Sequence, residues 1–242
     1  MSPIVRSTNR CSAQLVNPIF QSALKDAKSR ILAENEGCLV DLRVMGSIAR
    51  AEEKIPLSDL DLIAFVHQGG TLKVDRSLSL ELSNDHPVVC QIVIHSGGVE
   101  TLDPRTRHLI ASDSASIWGE DLFPGKNYEW SREKICEWVR REPVEVDHEF
   151  RSRLESAKGP RLTICAYKVA KNLLRCFRQT AFLRGAEERE FSLGRLHRQL
   201  LDFVPEHRKD IEELYQILVD PNTGHERIVE ILDRSHDWPL NS

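Results

Sequence analysis

The chain has 242 residues, 40% of them apolar and 29% charged, enough to bury one large core or two modest ones and unlike a disordered or fibrous protein. Thirty-three basic residues against 37 acidic ones leave a formal net charge of -4. The composition therefore offers no global attraction to nucleic acid or an anionic membrane, and any phosphate-binding surface must be local. No apolar stretch approaches a membrane span, and the opening MSPIVRSTNRCSAQLVN lacks the continuous apolar segment of a secretory leader, which predicts a cytoplasmic protein. Cys11, Cys38, Cys90, Cys136, Cys165 and Cys176 fall singly among apolar neighbours and read as reduced core residues.

Taken in chain order, residues 17–35 carry Ile19, Ala23, Leu24, Ala27, Ile31 and Leu32 at helical spacing, and Gly37 ends the pattern. Strands are predicted over 38–45, 60–66 and 87–95, the last rich in β-branched residues, with a helix over 73–82 between the second and third. Gln68-Gly69-Gly70 and Ser96-Gly97-Gly98 punctuate the strand ends. From about Trp130 onward strand signals vanish, and 132–141, 161–183, 193–204, 209–219 and 226–234 each have helical spacing. Turn residues collect at Phe123-Pro124-Gly125-Lys126, so the expected division is 1–125 for a small mixed-sheet α+β domain and 126–242 for a helical one.

The stretch MGSIARAEEKIPLSDLDLIAFV places Asp59 and Asp61 on either side of Leu60 as an apolar strand begins. Residues two apart on a strand share a face, so the two carboxylates project together while Leu60 and Leu62 enter the core. Two such groups repel unless a divalent cation lies between them, and oxygen-ligated Mg²⁺ is the usual partner when phosphates are present. Gly46 allows a sharp turn with close backbone approach, and the amides and hydroxyl around Ser47 suit a polyphosphate, with Arg50 one turn further on as an added positive charge. A turn that offers phosphate donors beside a strand that offers metal ligands suits transfer from a nucleoside triphosphate.

At these residues the sequence resembles the nucleotidyltransferase superfamily that includes DNA polymerase beta and the aminoglycoside nucleotidyltransferases. The likeness rests on Gly46-Ser47, on Ala49-Arg50, on Ser58-Asp59-Leu60-Asp61-Leu62, and on Ile117-Trp118-Gly119-Glu120-Asp121-Leu122, which looks like the segment closing the catalytic domain of antibiotic-modifying members. It covers residues 17–125 in detail and the helical half only in type. The resemblance implies a polymerase beta-like domain followed by a helical bundle and Mg²⁺ held by Asp59 and Asp61. ATP is the default donor, Gly46, Ser47, Arg50 and Ser58 belong to the nucleotide site, and the acceptor is a small hydroxylated molecule of the aminoglycoside type, hence a link to antibiotic resistance. On 161–183, Lys168, Lys171, Arg175 and Arg178 make a basic stripe opposite an apolar face. In antibiotic-modifying relatives such a helix supplies cations to the triphosphate, which singles out Lys168 and Lys171. Members of this type often dimerise, so a homodimer is compatible with the resemblance.

Family members generally carry a third acid on a neighbouring strand, and here the strand over 87–95 has none; Gln91 lies on it instead, an amide that cannot accept a proton at neutral pH. Glu100, Glu145, Asp147 and Glu149 are the open alternatives. A second reading follows from that gap: a nucleotidyltransferase-like antitoxin or regulator that modifies or binds a protein partner. A third, a ribonuclease of the HEPN type built on Arg141 and His148, is opposed by Pro143 inside the helix it needs. Trp118 next to Gly119 is a candidate border for an acceptor pocket, whereas Trp130, Trp138 and Trp238 read as core.

Overall fold

The computed structural model describes residues 4–35, 37–53, 57–67, 76–86, 90–96, 98–125, 127–139, 142–186, 192–223, 225–235 and 238. The turn signals at Gln68-Gly69-Gly70 and Gly97, residues 73–75 and 87–89 of two predicted elements, and Lys126 and Arg141 lie outside them, as do the side chains of Gln91, Cys90, Cys136, Trp130, Trp138 and Pro143. Two compact units emerge, one of Thr8–Tyr128 and one that joins Met1–Ser7 to Glu129–Ser242.

In the first unit, α1 (Pro18–Asn35) starts at an asparagine cap: the Asn17 side chain accepts from the Ile19 N–H at 3.1 Å, and Pro18 occupies the first turn, where its missing donor costs nothing. Phe20, Ala23, Ala27 and Ile31 form its buried face, while Ile19, expected there, is 36% exposed and Phe20 takes the buried place in the first turn. Gly37 follows at φ +89°, the left-handed stop that glycine adopts without penalty. β2 (Leu39–Met45) then runs antiparallel to β3 (Leu60–Val66), which lies parallel to β4 (Cys90–Ser96); β5 (Ser114–Gly119) pairs antiparallel with the other side of β2, giving the order β4-β3-β2-β5. α2 (Gly46–Ala49) is a single turn between β2 and the strand lead, and α3 (Arg76–Asp85) precedes β4. β1 (Ile4–Thr8) is not part of this sheet.

Both faces of β3 are covered. Leu60, Leu62, Ala64 and Val66 pack with Leu42 and Val44 of β2, the buried face of α1, and Leu78 and Leu82 of α3. Ile63 and Phe65 pack on the other side with Leu102, Phe123, and Ile110 and Ala111 of α4 (Pro104–Asp113). That double burial is why β3 reads as a continuous apolar run rather than an alternation. α4 and β5 were not foreseen from the sequence, although their signals are local: Asp103 caps α4 by accepting from the N–H groups of Arg105 and Thr106, both at 3.0 Å, and Pro104 opens the helix.

An ionic network is buried on the same side as Phe65. Arg43 is 1% exposed and Asp41 is 0%. The Arg43 guanidinium donates to Asp41 at 2.7 Å, to Asp121 at 2.6 Å and to the Ser114 hydroxyl at 2.7 Å, and lies 5.1 Å from the centre of the Phe123 ring. Asp41 also accepts from the Ser116 hydroxyl at 2.7 Å and the Leu122 N–H at 3.3 Å, so the charges meet partners rather than hydrocarbon. Gly119, at φ +88°, lets the chain pass over β2, where the Glu120 N–H reaches the Val40 carbonyl at 2.9 Å. The Trp-Gly-Glu-Asp-Leu segment thus closes the sheet: glycine permits the approach and aspartate neutralises Arg43.

The second unit is helical except for a two-stranded pairing of β1 with β6 (Asn127–Ser131). It contains α5 (Arg132–Val139), α6 (Glu142–Ser156), α7 (Pro160–Leu183), α8 (Leu193–Phe203), α9 (Arg208–Val219) and α10 (His225–Ser235). α7 is the central helix, touching α5, α6, α8, α9 and α10. The sequence reading omitted α6: Pro143 is compatible with a helix because it falls in the first turn, and Val146, Phe150 and Leu154 bury the face behind it. Cys11, Cys38, Cys165 and Cys176 are free thiols. Among the described residues no helix is long and apolar enough to cross a membrane.

Two outcomes follow for the first unit. A Cβ at Gly119 would clash with the Val40 carbonyl oxygen, a backbone atom, and the φ of +88° is strained for alanine, so Gly119→Ala should lower stability by more than about 1 kcal/mol in urea unfolding. Burial raises the Asp121 carboxyl pKa, but the Arg43 hydrogen bond, the Phe123 N–H and the Arg43 charge outweigh it and hold the group below the usual carboxylate range. A depressed folded pKa adds stability above the unfolded value and loses it as pH falls through the folded one. Asp121→Asn should therefore flatten the acid side of the stability–pH curve, measured by thermal melts below neutrality, and leave its neutral-to-basic slope alone.

Candidate functional site

The site is built where β2 ends and β3 begins. In the antiparallel ladder Met45 stands opposite Asp61, and on the other side of β2 Met45 stands opposite Ser114. The next residue, Gly46, takes φ +72°, and a Cβ there would lie 3.8 Å from Asp61 Oδ2. That spacing is an ordinary contact, so glycine is demanded by the backbone turn and not by lack of room. It also places the Asp61 carboxylate directly against the turn. Leu60 and Leu62, at 0% and 1% exposure, face the α1 side of the sheet, so Asp61 belongs to the opposite face with Ile63 and Phe65.

After Gly46 the chain makes the single turn of α2. The Arg50 N–H bonds to the carbonyls of Gly46 and Ser47, both at 3.2 Å, and the Glu52 N–H returns to the Ser47 carbonyl at 2.8 Å. Residues 54–56 lie outside the described set, and the chain re-enters at Leu57 and Ser58. The Ser47 hydroxyl donates to the Ser58 hydroxyl at 3.3 Å, tying the turn to the lead of β3. Asp59 comes next, partly exposed, one residue ahead of the strand; Asp61 is its second residue and also partly exposed. Gly46, Ser47, Ser58 and Asp61 are thus brought together by direct contacts, with Asp59 adjacent in the chain.

Other sequence candidates fall elsewhere. Arg50 was expected to extend its charge toward phosphate, but its side chain is 4% exposed and is taken up by ion pairs with Asp113 and, at 3.1 Å, with Glu52. That correction has a plain cause: a guanidinium at this depth requires carboxylate partners. Lys168 and Lys171 sit partly buried on α7 of the helical unit, as does Arg175, whereas Arg178 is only 3% exposed, so the basic stripe runs inward at its end. Gln91 pairs with Asp61 in the parallel β3–β4 register. Glu100 is exposed in the Val99–Thr101 turn beyond β4. On α6, Asp147 pairs with Arg151 at 2.6 Å and Glu149 with Arg153 at 3.7 Å, while Glu145 is exposed. Trp118 packs partly buried against the α1-side core. The sequence reading missed Asp113, the anchor of Arg50; the capped start of α4 was the signal that would have placed it beside β2.

Among the described residues no group of three or more histidines, cysteines or acids gathers as a metal cluster; Asp59 and Asp61 are the acids at the start of β3. Their hard oxygen donors, few in number, match Mg²⁺, which completes its shell with water and substrate phosphates, rather than an all-protein cage.

No family model and no curated protein matches the chain. Among solved structures it is similar to the crystal structure of spectinomycin adenyltransferase AAD(9) from Enterococcus faecialis with ATP and spectinomycin, with a TM-score of 0.52 and 11% sequence identity, over 88% of this chain and 99% of that one. The fold, an α+β sheet domain followed by a helical region, is like that of this adenyltransferase.

Proposed function

We propose that the chain transfers a nucleoside monophosphate, AMP from ATP, to a hydroxyl of a small molecule of the aminoglycoside type and releases pyrophosphate. The observation that carries this reading is the placement of the Asp61 carboxylate against the Gly46 turn, with Ser47 and Ser58 joined beside it. In the transfer, the acceptor oxygen forms a bond to the α-phosphorus, the bond from that phosphorus to the bridging oxygen of the β-phosphate breaks, and the hydroxyl proton is lost. Mg²⁺ held by Asp59 and Asp61 would supply charge neutralisation on the phosphates and on the departing pyrophosphate. The chain's own part is placement: the Ser47 and Ser58 hydroxyls donate to the β- and γ-phosphates, and Asp61, rooted in a strand buried on both faces, stays fixed while charge shifts. Lys168 and Lys171 are proposed as additional phosphate cations, and Arg50 as part of the framework. The neighbour's ATP and spectinomycin make a nucleotide and an antibiotic the first substrates to try.

A second reading, a nucleotidyltransferase-like regulator that binds nucleotide and a protein partner with little transfer, is favoured by one observation. β4 reads Cys90-Gln91-Ile92-Val93-Ile94-His95-Ser96, without a carboxylate to take the acceptor proton, and the residue in register with Asp61 is Gln91.

The deciding measurement is product formation and pyrophosphate release from ATP, GTP, CTP or UTP with Mg²⁺ and a panel of aminoglycosides plus spectinomycin. Asp61→Asn should cut transfer at least about 100-fold while circular dichroism and melting stay near wild type. Equal turnover by the two proteins would remove the enzymatic proposal; tight ATP binding by the wild type with no product from any acceptor would put the regulator in its place.

A further inference from the structure

The turn that carries Gly46 and Ser47 is held from behind by charges it does not display. Arg50 closes the turn with its backbone N–H and then sends its side chain inward to Asp113, whose own side chain is 11% exposed. Asp113 is the last residue of α4, and Ser114 after it stands opposite Met45, which in turn stands opposite Asp61. One rung of the sheet therefore connects the residue after the anchor of Arg50, the residue before Gly46, and Asp61.

The segment ahead of α1 reinforces this rung. Asn9 Nδ2 donates to the carbonyls of Ala111 and Ser114, both at 2.8 Å, and its Oδ1 accepts from the Cys11 N–H at 2.8 Å. The Ser12 N–H donates to the Ala49 carbonyl at 2.8 Å, so the same segment is laced to the turn. Cys11 Sγ lies 3.7 Å from Asp113, and its burial pushes the thiol pKa up to about 11 with the nearby Arg50 charge opposing, so it stays protonated at neutral pH. Ala51 at φ +56° is the described non-glycine residue with positive φ, a conformation that persists only where its surroundings impose it. Those surroundings are Arg50 on one side and the Glu52 N–H bond to Ser47 on the other, with the Glu52 carboxylate also on Arg50.

We infer that Arg50 and Asp113 are positioning residues: their buried pair sets the Gly46–Ser47 turn against Ser58 and Asp61, and so governs nucleoside triphosphate affinity without touching the phosphates. The inference rests on the proposed nucleotide site for its ligand. A charge pair inside a protein is a costly way to gain stability and a good way to select one arrangement of a loop. It also separates two roles for Arg50. As a phosphate ligand it would lose affinity independently of Asp113, and removing Asp113 would free it to bind more tightly. As a clamp, loss of either partner has the same effect.

The test is a double-mutant cycle on the full chain with Arg50→Met, Asp113→Leu and the combination, plus Arg50→Lys, read as the equilibrium Kd for Mg²⁺–ATP at a temperature where circular dichroism shows each protein folded. Each single substitution should weaken ATP roughly 10- to 100-fold, the combination should be no weaker than the worse single, and Arg50→Lys should recover part of the loss. Additive losses, tighter ATP binding by Asp113→Leu, or a folded single variant within about twofold of wild type would overturn the clamp. If the wild type binds no nucleotide, the nucleotide reading fails separately, and amide hydrogen exchange of residues 46–52 in the ligand-free chain decides: faster exchange in both singles supports the clamp, and unchanged exchange overturns it. Should Asp113→Leu not fold, Arg50→Lys carries the same two measurements.

Discussion

Everything at the site depends on the pairing of β2 with β3, because that ladder ends on Met45 opposite Asp61. A strand side chain has only two directions, and the core decides which residues take each. Leu60, Leu62, Ala64 and Val66 are claimed by α1 and α3, so Asp61 is assigned to the other face by exclusion. A shift of one residue would bury the carboxylate under α1 and take the leucines out of the core they fill. The position of a charged group is thus enforced by apolar neighbours.

The other charges of the first unit follow a different rule. Asp41, Arg43 and Arg50 are buried outright, Asp113 nearly so, and each has an opposite charge within reach. Arg43 with Asp41 and Asp121 pins β2, β5 and the chain after Gly119 to one another, whereas Arg50 with Asp113 pins the turn after β2 to the start of β5. Both networks join segments that are remote in sequence yet meet around β2. Removing one member leaves a buried charge without its partner, which costs about 3–5 kcal/mol, so such pairs tolerate change in both partners better than in one.

β2, β3, β4 and most helices were legible because their signals are local and periodic. Double burial made Leu60–Val66 a continuous apolar run, and α7, α8, α9 and α10 each show an apolar face at helical spacing. The Gly46-Ser47 and Asp59-Leu60-Asp61 pattern was legible for the same reason, being a turn residue and an alternation within one hairpin. What escaped was non-local or split. β1 and β6 are short strands from distant parts of the chain that pair only with each other, α4 and β5 meet without a loop at Asp113-Ser114, and α6 was hidden by a proline that happens to open it. Arg50 stays ambiguous in the sequence because a basic residue near a phosphate turn looks the same on paper whether its partner is substrate or an aspartate 63 positions away.

The parallel pairing of β3 with β4 sets the chemical limit of the site. It brings Gln91 into register with Asp61, and Leu60 and Leu62 with Cys90 and Ile92, so no acid stands beside Asp61 from that side. An amide donates and accepts hydrogen bonds but takes up no proton at neutral pH, so the residue at that register is not a base. In the proposed transfer, such a site would rely on placement and on charge neutralisation at the phosphates, and the acceptor proton would pass to water or to a group on the acceptor itself. Under that proposal, an acceptor that carries its own amines beside the reacting hydroxyl meets the need for a proton acceptor better than a plain alcohol.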